Sequence, residues 1–216
     1  MNPSLFASVL QLDRQAIRGL RVTDAYSLHR VVYSLFTDIR TDRQKQASTA
    51  SGIVYADKGG NSLHRQILLL SDRPPATKTP EGYGAVETKP LPMGFLNHSH
   101  YRFQVIVNPT RRDAKSHKLI AVRGREAVAQ WFSERAPLSW GFHVIPHALQ
   151  VNQINVLNFS DKQQNPVTLA QAHLQGILQV TDLVKFSHSF SRGIGRGRTF
   201  GCGLLQISPH IDAIFE

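Results

Sequence analysis

The order of its predicted elements makes this an α+β protein, built as two domains in tandem, each with an antiparallel sheet. Three observations carry that reading. The chain has 216 residues, enough for two domains of about 100 residues that each bury a core. Hydrophobic residues make up 41% and charged residues 19%, a globular balance that excludes wholesale disorder. Short alternating runs recur with amphipathic helical segments between them, so that strand-helix-strand-strand is read in each half.

In the first half, residues 5–12 read as a strand, with Phe6, Leu10 and Leu12 on one face and Val9 on the other. Thr23 is an N-cap residue and Asp24 suits the positive first turn, which predicts a helix from there to about Phe36. Residues 51–57 and 63–70 flank Lys58-Gly59-Gly60-Asn61, a hairpin turn, and Pro74, Pro75 and Pro80 mark a loop. Residues 101–107 alternate strictly, with Tyr101, Phe103, Val105 and Val107 facing one way, and Asn108-Pro109 ends that strand. The second half opens with a short strand at 119–122 and a helix at 124–135, whose buried stripe is Val128, Trp131 and Phe132. Residues 140–144, 151–159 and 167–180 are strands; Leu174, Gly176, Leu178 and Val180 share a face of the last. Thr181-Asp182 caps a helix carrying Leu183, Phe186 and Phe190, and residues 204–207 form a final strand. The boundary falls at the basic segment, giving domains 1–110 and 119–216 joined by a basic linker, 111–118. The order, with a further helix and strand in the second half, is that of the ferredoxin-like βαββαβ unit.

Charge narrows the function. With 25 Lys and Arg against 15 Asp and Glu, the formal net charge is +10, which in a folded chain points first to nucleic acid. Part of the excess is concentrated: Arg111, Arg112, Lys115, Lys118, Arg123 and Arg125 oppose only Asp113, and Arg192, Arg196 and Arg198 meet no local acid. No apolar run approaches the ~20 residues that span a bilayer, and the first residues lack the basic and apolar regions of a secretory signal. A cytoplasmic protein with no membrane partner is therefore expected. One cysteine, Cys202, excludes an internal disulfide and reads as a small buried hydrophobe. No P-loop, dinucleotide fingerprint or nucleophile elbow is present. His98-Ser99-His100 puts two imidazoles on one strand face with no third ligand at a persuasive spacing, so neither metal nor cofactor is expected.

One cluster carries chemistry. Leu28, Val32 and Leu35 form the apolar stripe of the first helix, and Tyr26, His29, Arg30 and Tyr33 fall together beside it. A phenol, an imidazole and a guanidinium in one patch suit metal-free RNA cleavage. The RNA's own 2′-hydroxyl attacks the neighbouring phosphorus, and the protein moves protons and holds the charged phosphate. Histidine titrates in the right range, and arginine grips phosphate oxygens bidentately. A second element is the stretch 193–203, which holds five of the chain's 15 glycines together with Arg196 and Arg198. Its backbone N–H groups, at Gly195 and Gly197 above all, are expected to approach phosphates closely.

Three segments then resemble the CasE family of CRISPR-associated endoribonucleases. The first is Asp24-Ala25-Tyr26-Ser27-Leu28-His29-Arg30 with the hydrophobic residues after it, like the family's D-x-Y-x-x-H helix. The second is the strand from Phe103 that ends Asn108-Pro109-Thr110-Arg111-Arg112. The third is Gly176-Ile177-Leu178-Gln179-Val180-Thr181-Asp182, a helix, and then Gly193-Ile194-Gly195-Arg196-Gly197-Arg198-Thr199-Phe200-Gly201-Cys202-Gly203, similar to the family's C-terminal glycine-rich signature. The resemblance implies two tandem ferredoxin-like (RRM-like) domains. It also implies metal-independent cleavage of CRISPR precursor RNA at the 3′ base of repeat stem-loops, leaving a 2′,3′-cyclic phosphate and a 5′-hydroxyl. The expected partners are the repeat hairpin RNA, which stays bound, and the other subunits of a CRISPR surveillance complex. The family's catalytic histidine and tyrosine fall on His29 and Tyr26. RNA contacts are expected from Arg30, Arg111, Arg112, Lys115, Lys118, Lys162, Arg192, Arg196 and Arg198, and from Gly195 and Gly197.

Two departures stand out. The family commonly carries a basic residue one or two turns after the histidine, where this chain has Ser34 and Thr37. A basic hairpin in the second domain often enters the RNA groove, and residues 158–165 offer only Lys162. The alternative reading is a non-cleaving RNA-binding structural subunit of a CRISPR ribonucleoprotein. A DNA-binding protein fits the charge but lacks a recognition-helix motif.

Overall fold

Leu10 and Leu12 point from the middle strand of a sheet into a core beneath one helix, as their spacing predicts. The computed structural model describes residues 4–41, 43–44, 50–61 and 63–210, so the outer ends expected for the two domains, 1–3 and 211–216, lie outside the described residues. The first unit comprises β1 (Phe6–Asp13), α1 (Arg14–Gly19), α2 (Ala25–Ser34), β2 (Ile53–Gly60), β3 (His64–Ser71) and β4 (Ala85–Pro90). Its strands pair antiparallel in the order β2-β3-β1-β4. The first strand thus lies between the third and the fourth, the split order of a ferredoxin-like unit. Residues 72–84 hold no helix and occupy the place of that unit's second one. β4 escapes a reading of the sequence because its one half-buried face is short and it ends in Lys89-Pro90, a composition suited to a sheet edge.

The second unit comprises β5 (His100–Val107), α3 (Arg125–Ser139), β8 (Phe142–Val144), β9 (Gln150–Ser160), β10 (Pro166–Val180), α4 (Leu183–Arg192) and β11 (Gln206–Pro209). Its order is β11-β5-β10-β8, with β9 paired to the earlier part of β10, so one ferredoxin-like strand is broken in two by the 146–148 turn. Tyr101, Phe103, Val105 and Val107 face the helices as expected, with Phe103 stacked on Phe132 and Tyr101 packed on Phe186.

The boundary expected at residues 111–118 is corrected by the pairing. β5 bonds to β10 and β11, so it opens the second unit and the sheets divide between residues 90 and 100. Alternation shows that a strand forms; its partners lie more than sixty residues away and leave no local trace. Residues 111–118 are not a linker. They belong to a hairpin, β6 (Thr110–Arg112) with β7 (Leu119–Ala121), inserted before α3.

β2 joins the units. Ile53, Val54, Tyr55 and Ala56 are all buried, without alternation, because both faces of the strand are covered. Ile53 and Tyr55 pack with α2, while Val54 and Ala56 pack with the core of the second unit. Among the described residues, no helix is long and apolar enough to cross a membrane.

Candidate active site and nucleic-acid interface

The helix that carries the cluster begins one residue later than its sequence predicts. Asp24, not Thr23, is the N-cap: its Oδ1 accepts from Ser27 N–H (2.7 Å), and Ser27 Oγ accepts from Asp24 N–H (2.9 Å), a reciprocal capping box. From that start, Leu28, Val31, Val32 and Leu35 enter the core of the first unit. Tyr26 packs toward the second unit, where α2 meets β9 and the turn at 198–200.

His29 is thereby held between two elements far apart in sequence. The Tyr33 ring lies 4.2 Å from it, and the Phe200 ring meets it edge-on at 5.9 Å. Tyr26 is 6.2 Å away on the other side, and Nδ1 is buried with no hydrogen-bond partner. Burial lowers the imidazole pKa below its usual value near 6.5, the backbone of Thr199 pulling it upward less strongly. At neutral pH the ring is neutral and can accept a proton.

Phe200 is itself wedged in place. Phe159 packs on it T-shaped at 4.7 Å, the Tyr55 hydroxyl donates to the neighbouring Thr199 carbonyl (2.8 Å), and Gln171 Nε2 donates to the Phe200 carbonyl (3.4 Å). Asn108 forms an isolated bridge with Arg196. The glycine-rich segment therefore touches both of the other motif segments, α2 at His29 through Phe200 and the strand at 103–112 through Arg196. Sequence reasoning passes over Phe200, Thr199 and Tyr55; the only local signal is that the first two lie inside the glycine-rich segment.

Several of the glycines there are required by the chain itself. A Cβ on Gly203 would stand 2.4 Å from the Ile194 carbonyl oxygen, and Gly197 is hemmed in by Cys202, Asn108 and Leu169 at 3.2–3.3 Å. The Gly197 carbonyl is occupied, accepting from the N–H groups of Phe200 (2.9 Å) and Cys202 (3.2 Å). Gly195 differs: its nearest neighbour is Trp140 at 4.0 Å, so its backbone remains approachable. Cys202 is buried, and its thiol is pushed up to about 12 by desolvation.

Positive charge from the second unit lines a hollow next to two neighbours of the histidine, Tyr33 and Thr199. Arg192 and Arg198, with Tyr33, Thr199 and Arg40, line a hollow of about 290 Å³. Arg198 Nη1 donates to the Arg192 carbonyl (3.1 Å), which ties the Arg198 guanidinium to the end of α4. Arg30 and Arg196 are exposed, Arg30 on α2 and Arg196 beside Asn108. Arg111, Arg112, Lys115 and Lys118 are exposed on the β6–β7 hairpin, whose base is held by Trp131 Nε1–H donating to the Thr110 carbonyl (3.1 Å). Its turn is set by Asp113, which accepts from Ser116 and is held below the usual carboxylate range by those bonds. The second unit's basic hairpin is therefore here and not at 158–165, where Lys162 alone stands on the β9–β10 turn. His98 packs edge-on against Tyr101, and His100 Nδ1 pairs with Ser99 Oγ.

Comparison with known proteins accords with this geometry. A family model described as CRISPR associated protein matches residues 5–209. The CRISPR-associated endoribonuclease Cse3 of Thermus thermophilus is 28% identical over 139 residues, 60% of this chain and 65% of that protein, just under two thirds of its length. The solved structure of Cse3 bound to a 19-nucleotide RNA matches with a TM-score of 0.76 at 21% identity, covering 95% of this chain and all of that one. Cas6e of Escherichia coli str. K-12 matches with a TM-score of 0.61 at 16% identity, over 95% of this chain and all of that one. These likenesses show a shared α+β fold of tandem ferredoxin-like domains. The family model spans both units and all three motif segments, and the chain belongs to that family of CRISPR associated proteins, as its resemblance to the CasE endoribonucleases implied.

Proposed function

We propose that the chain is an endoribonuclease that cuts CRISPR precursor RNA at repeat stem-loops without a metal ion and remains on the product as a subunit of a surveillance complex. The observation that carries this reading is the seat of His29, a neutral, half-buried imidazole where the motif helix meets the glycine-rich segment, with two arginines in a hollow lined also by Tyr33 and Thr199. His29 accepts the proton of the 2′-hydroxyl as the 2′-oxygen bonds to phosphorus. The P–O5′ bond breaks, the 5′-oxygen takes a proton, and a 2′,3′-cyclic phosphate and a 5′-hydroxyl remain. Tyr26 orients the phosphate. Arg192 and Arg198 balance its growing charge and supply, from the second unit, what Ser34 and Thr37 do not supply on α2. The relative Cse3 bears the name endoribonuclease, and a chain of this fold occurs in a solved CRISPR RNA-guided surveillance complex, with a TM-score of 0.68 at 20% identity over 95% of this chain.

Incubating the protein with the repeat RNA of its own locus in excess EDTA, and identifying the product ends, tests the mechanism. Cleavage should proceed unchanged and leave cyclic phosphate; a requirement for added metal, or a 5′-phosphate product, would exclude the 2′-hydroxyl route. The basic hairpin grips the stem backbone, since A-form RNA hides its base edges in a deep major groove. An Arg111→Ala/Arg112→Ala chain should bind the stem-loop with a plot of log affinity against log salt shallower by about 1.5. An unchanged slope places the hairpin away from the RNA.

A further inference from the structure

The open face of the second sheet carries a row of glutamines that the cleavage site does not use. Gln206 of β11 lies opposite Gln104 of β5, Gln104 opposite Gln175 of β10, and Gln175 opposite Gln150 of β9. Residues directly opposite one another share a face, and neighbouring strands stand about 4.8 Å apart, so four amides align over about 14 Å. They are fixed but not saturated. Gln175 Nε2 donates to Gln150 Oε1 (2.8 Å), and Lys58 Nζ of the first unit donates to Gln104 Oε1 (3.0 Å) and Gln206 Oε1 (3.1 Å). That leaves the Nε2 groups of Gln104, Gln150 and Gln206 and the Oε1 of Gln175 with no hydrogen bond among the described residues.

The row floors a groove between the two sheets. A cavity of about 570 Å³ runs from the N-terminus of α2 past Phe200 and His173 to the row, and a second hollow of about 600 Å³ continues beyond it to Arg102; Gln104, Gln175 and Gln206 line both. The two acids in its wall are already engaged, Asp24 as the cap of α2 and Asp57 in an ion pair with Arg65. Lys58 and Arg102 leave the groove positive. Phe200 forms part of this wall and also packs against His29, so the groove begins beside the proposed scissile phosphate.

We infer that this groove is a second RNA site, which takes the unpaired nucleotides flanking the stem and reads their base edges with the glutamine row. The inference rests on the RNA-processing reading above. Amides offer donor and acceptor side by side, the pattern that matches a base edge, and unpaired bases are the ones whose edges are accessible. An extended polyanion also suits the sign of the walls better than a peptide does. His173, whose pKa is lowered by burial and by Lys58, adds an uncharged hydrogen-bonding ring to the same floor.

The test uses the full chain and the repeat RNA of its locus, made uncleavable by a 2′-deoxy substitution at the cut site. The RNA is prepared as a bare stem-loop and with the unpaired repeat nucleotides retained on the 5′ or the 3′ side. The wild-type protein should bind one of the flanked forms about tenfold more tightly than the bare stem. Gln104→Ala/Gln175→Ala should lose that gain with affinity for the bare stem unchanged. The nearly isosteric Gln104→Glu/Gln175→Glu, which disturbs packing least, should lose it as well. If neither flank adds affinity in the wild type, or the gain survives both double substitutions, the groove holds no RNA and suits an extended segment of a partner subunit. If even the bare stem-loop is not bound, the RNA-processing reading fails first, and this one with it.

Discussion

Replacing His29 by alanine should slow single-turnover cleavage of the repeat RNA by about 10²–10⁴-fold, the usual contribution of a general acid–base group, while the dissociation constant for the stem-loop stays within a few-fold. The two readouts separate because the ring is half-buried between Tyr33 and Phe200 and offers the RNA little contact area beyond its reacting nitrogen. Full activity in the variant would remove His29 from the mechanism. Tyr26→Phe should cost less, since it removes one hydroxyl and leaves the proton acceptor in place. The pH profile follows from the same seat. Burial holds the folded pKa below 6.5, and the active form is the neutral one, present above that pKa. Cleavage should be level above pH 6.5 and fall as pH drops through the lower folded value; an inflection above 6.5 would contradict the burial. Stability shifts with the same sign. The unfolded chain takes up the proton at higher pH than the folded one, so the contribution present above 6.5 is lost as pH falls through the folded pKa.

The second large effect is on stability. Gly203→Ala should destabilise the chain by about 3 kcal/mol, lowering the melting temperature by roughly 6–12 °C. The residue has φ +87°, its Cβ would stand 2.4 Å from a backbone oxygen, and its own N–H and C=O are bonded to Ile106 and Ile194. No rotation of a side chain relieves a clash with backbone. Gly195→Ala is the contrast: φ is +71° but no atom lies closer than 4.0 Å, so only the conformational cost of about 1 kcal/mol applies. Equal melting temperatures for the two variants would show that crowding is not what holds the glycines in this loop.

Much of this can be read along the chain, and the misreadings share a cause. Strands at 6–13, 100–107 and 166–180 announce themselves because the period of two is local, and those at 53–60 and 64–71 because two apolar runs flank a glycine turn. What β5 pairs with is not local, and sequence order alone assigns the strand to the wrong sheet for that reason. Residues 111–118 read as a linker because a hairpin that packs little against the body needs no hydrophobic pattern. At the site, Tyr26, His29 and Tyr33 are one helix face and so are visible in sequence, whereas the approach of Phe200 to His29 depends on two units docking through β2. The glutamine row is the extreme case: four residues on four strands, aligned only by register.

The seat of His29 also imposes an order in time. A chain emerging from the ribosome presents α2 early, and the first unit has its own core of Leu28, Val32, Ile67 and Leu69 with which to fold. The shelf under the imidazole, at Thr199 and Phe200, is made last, roughly ten to thirty seconds later at the usual pace of synthesis. Until then His29 sits on a helix face without that cover. On the proposed mechanism, a half-made polypeptide carries the motif helix without the loop that seats its base, however well its leading portion has folded.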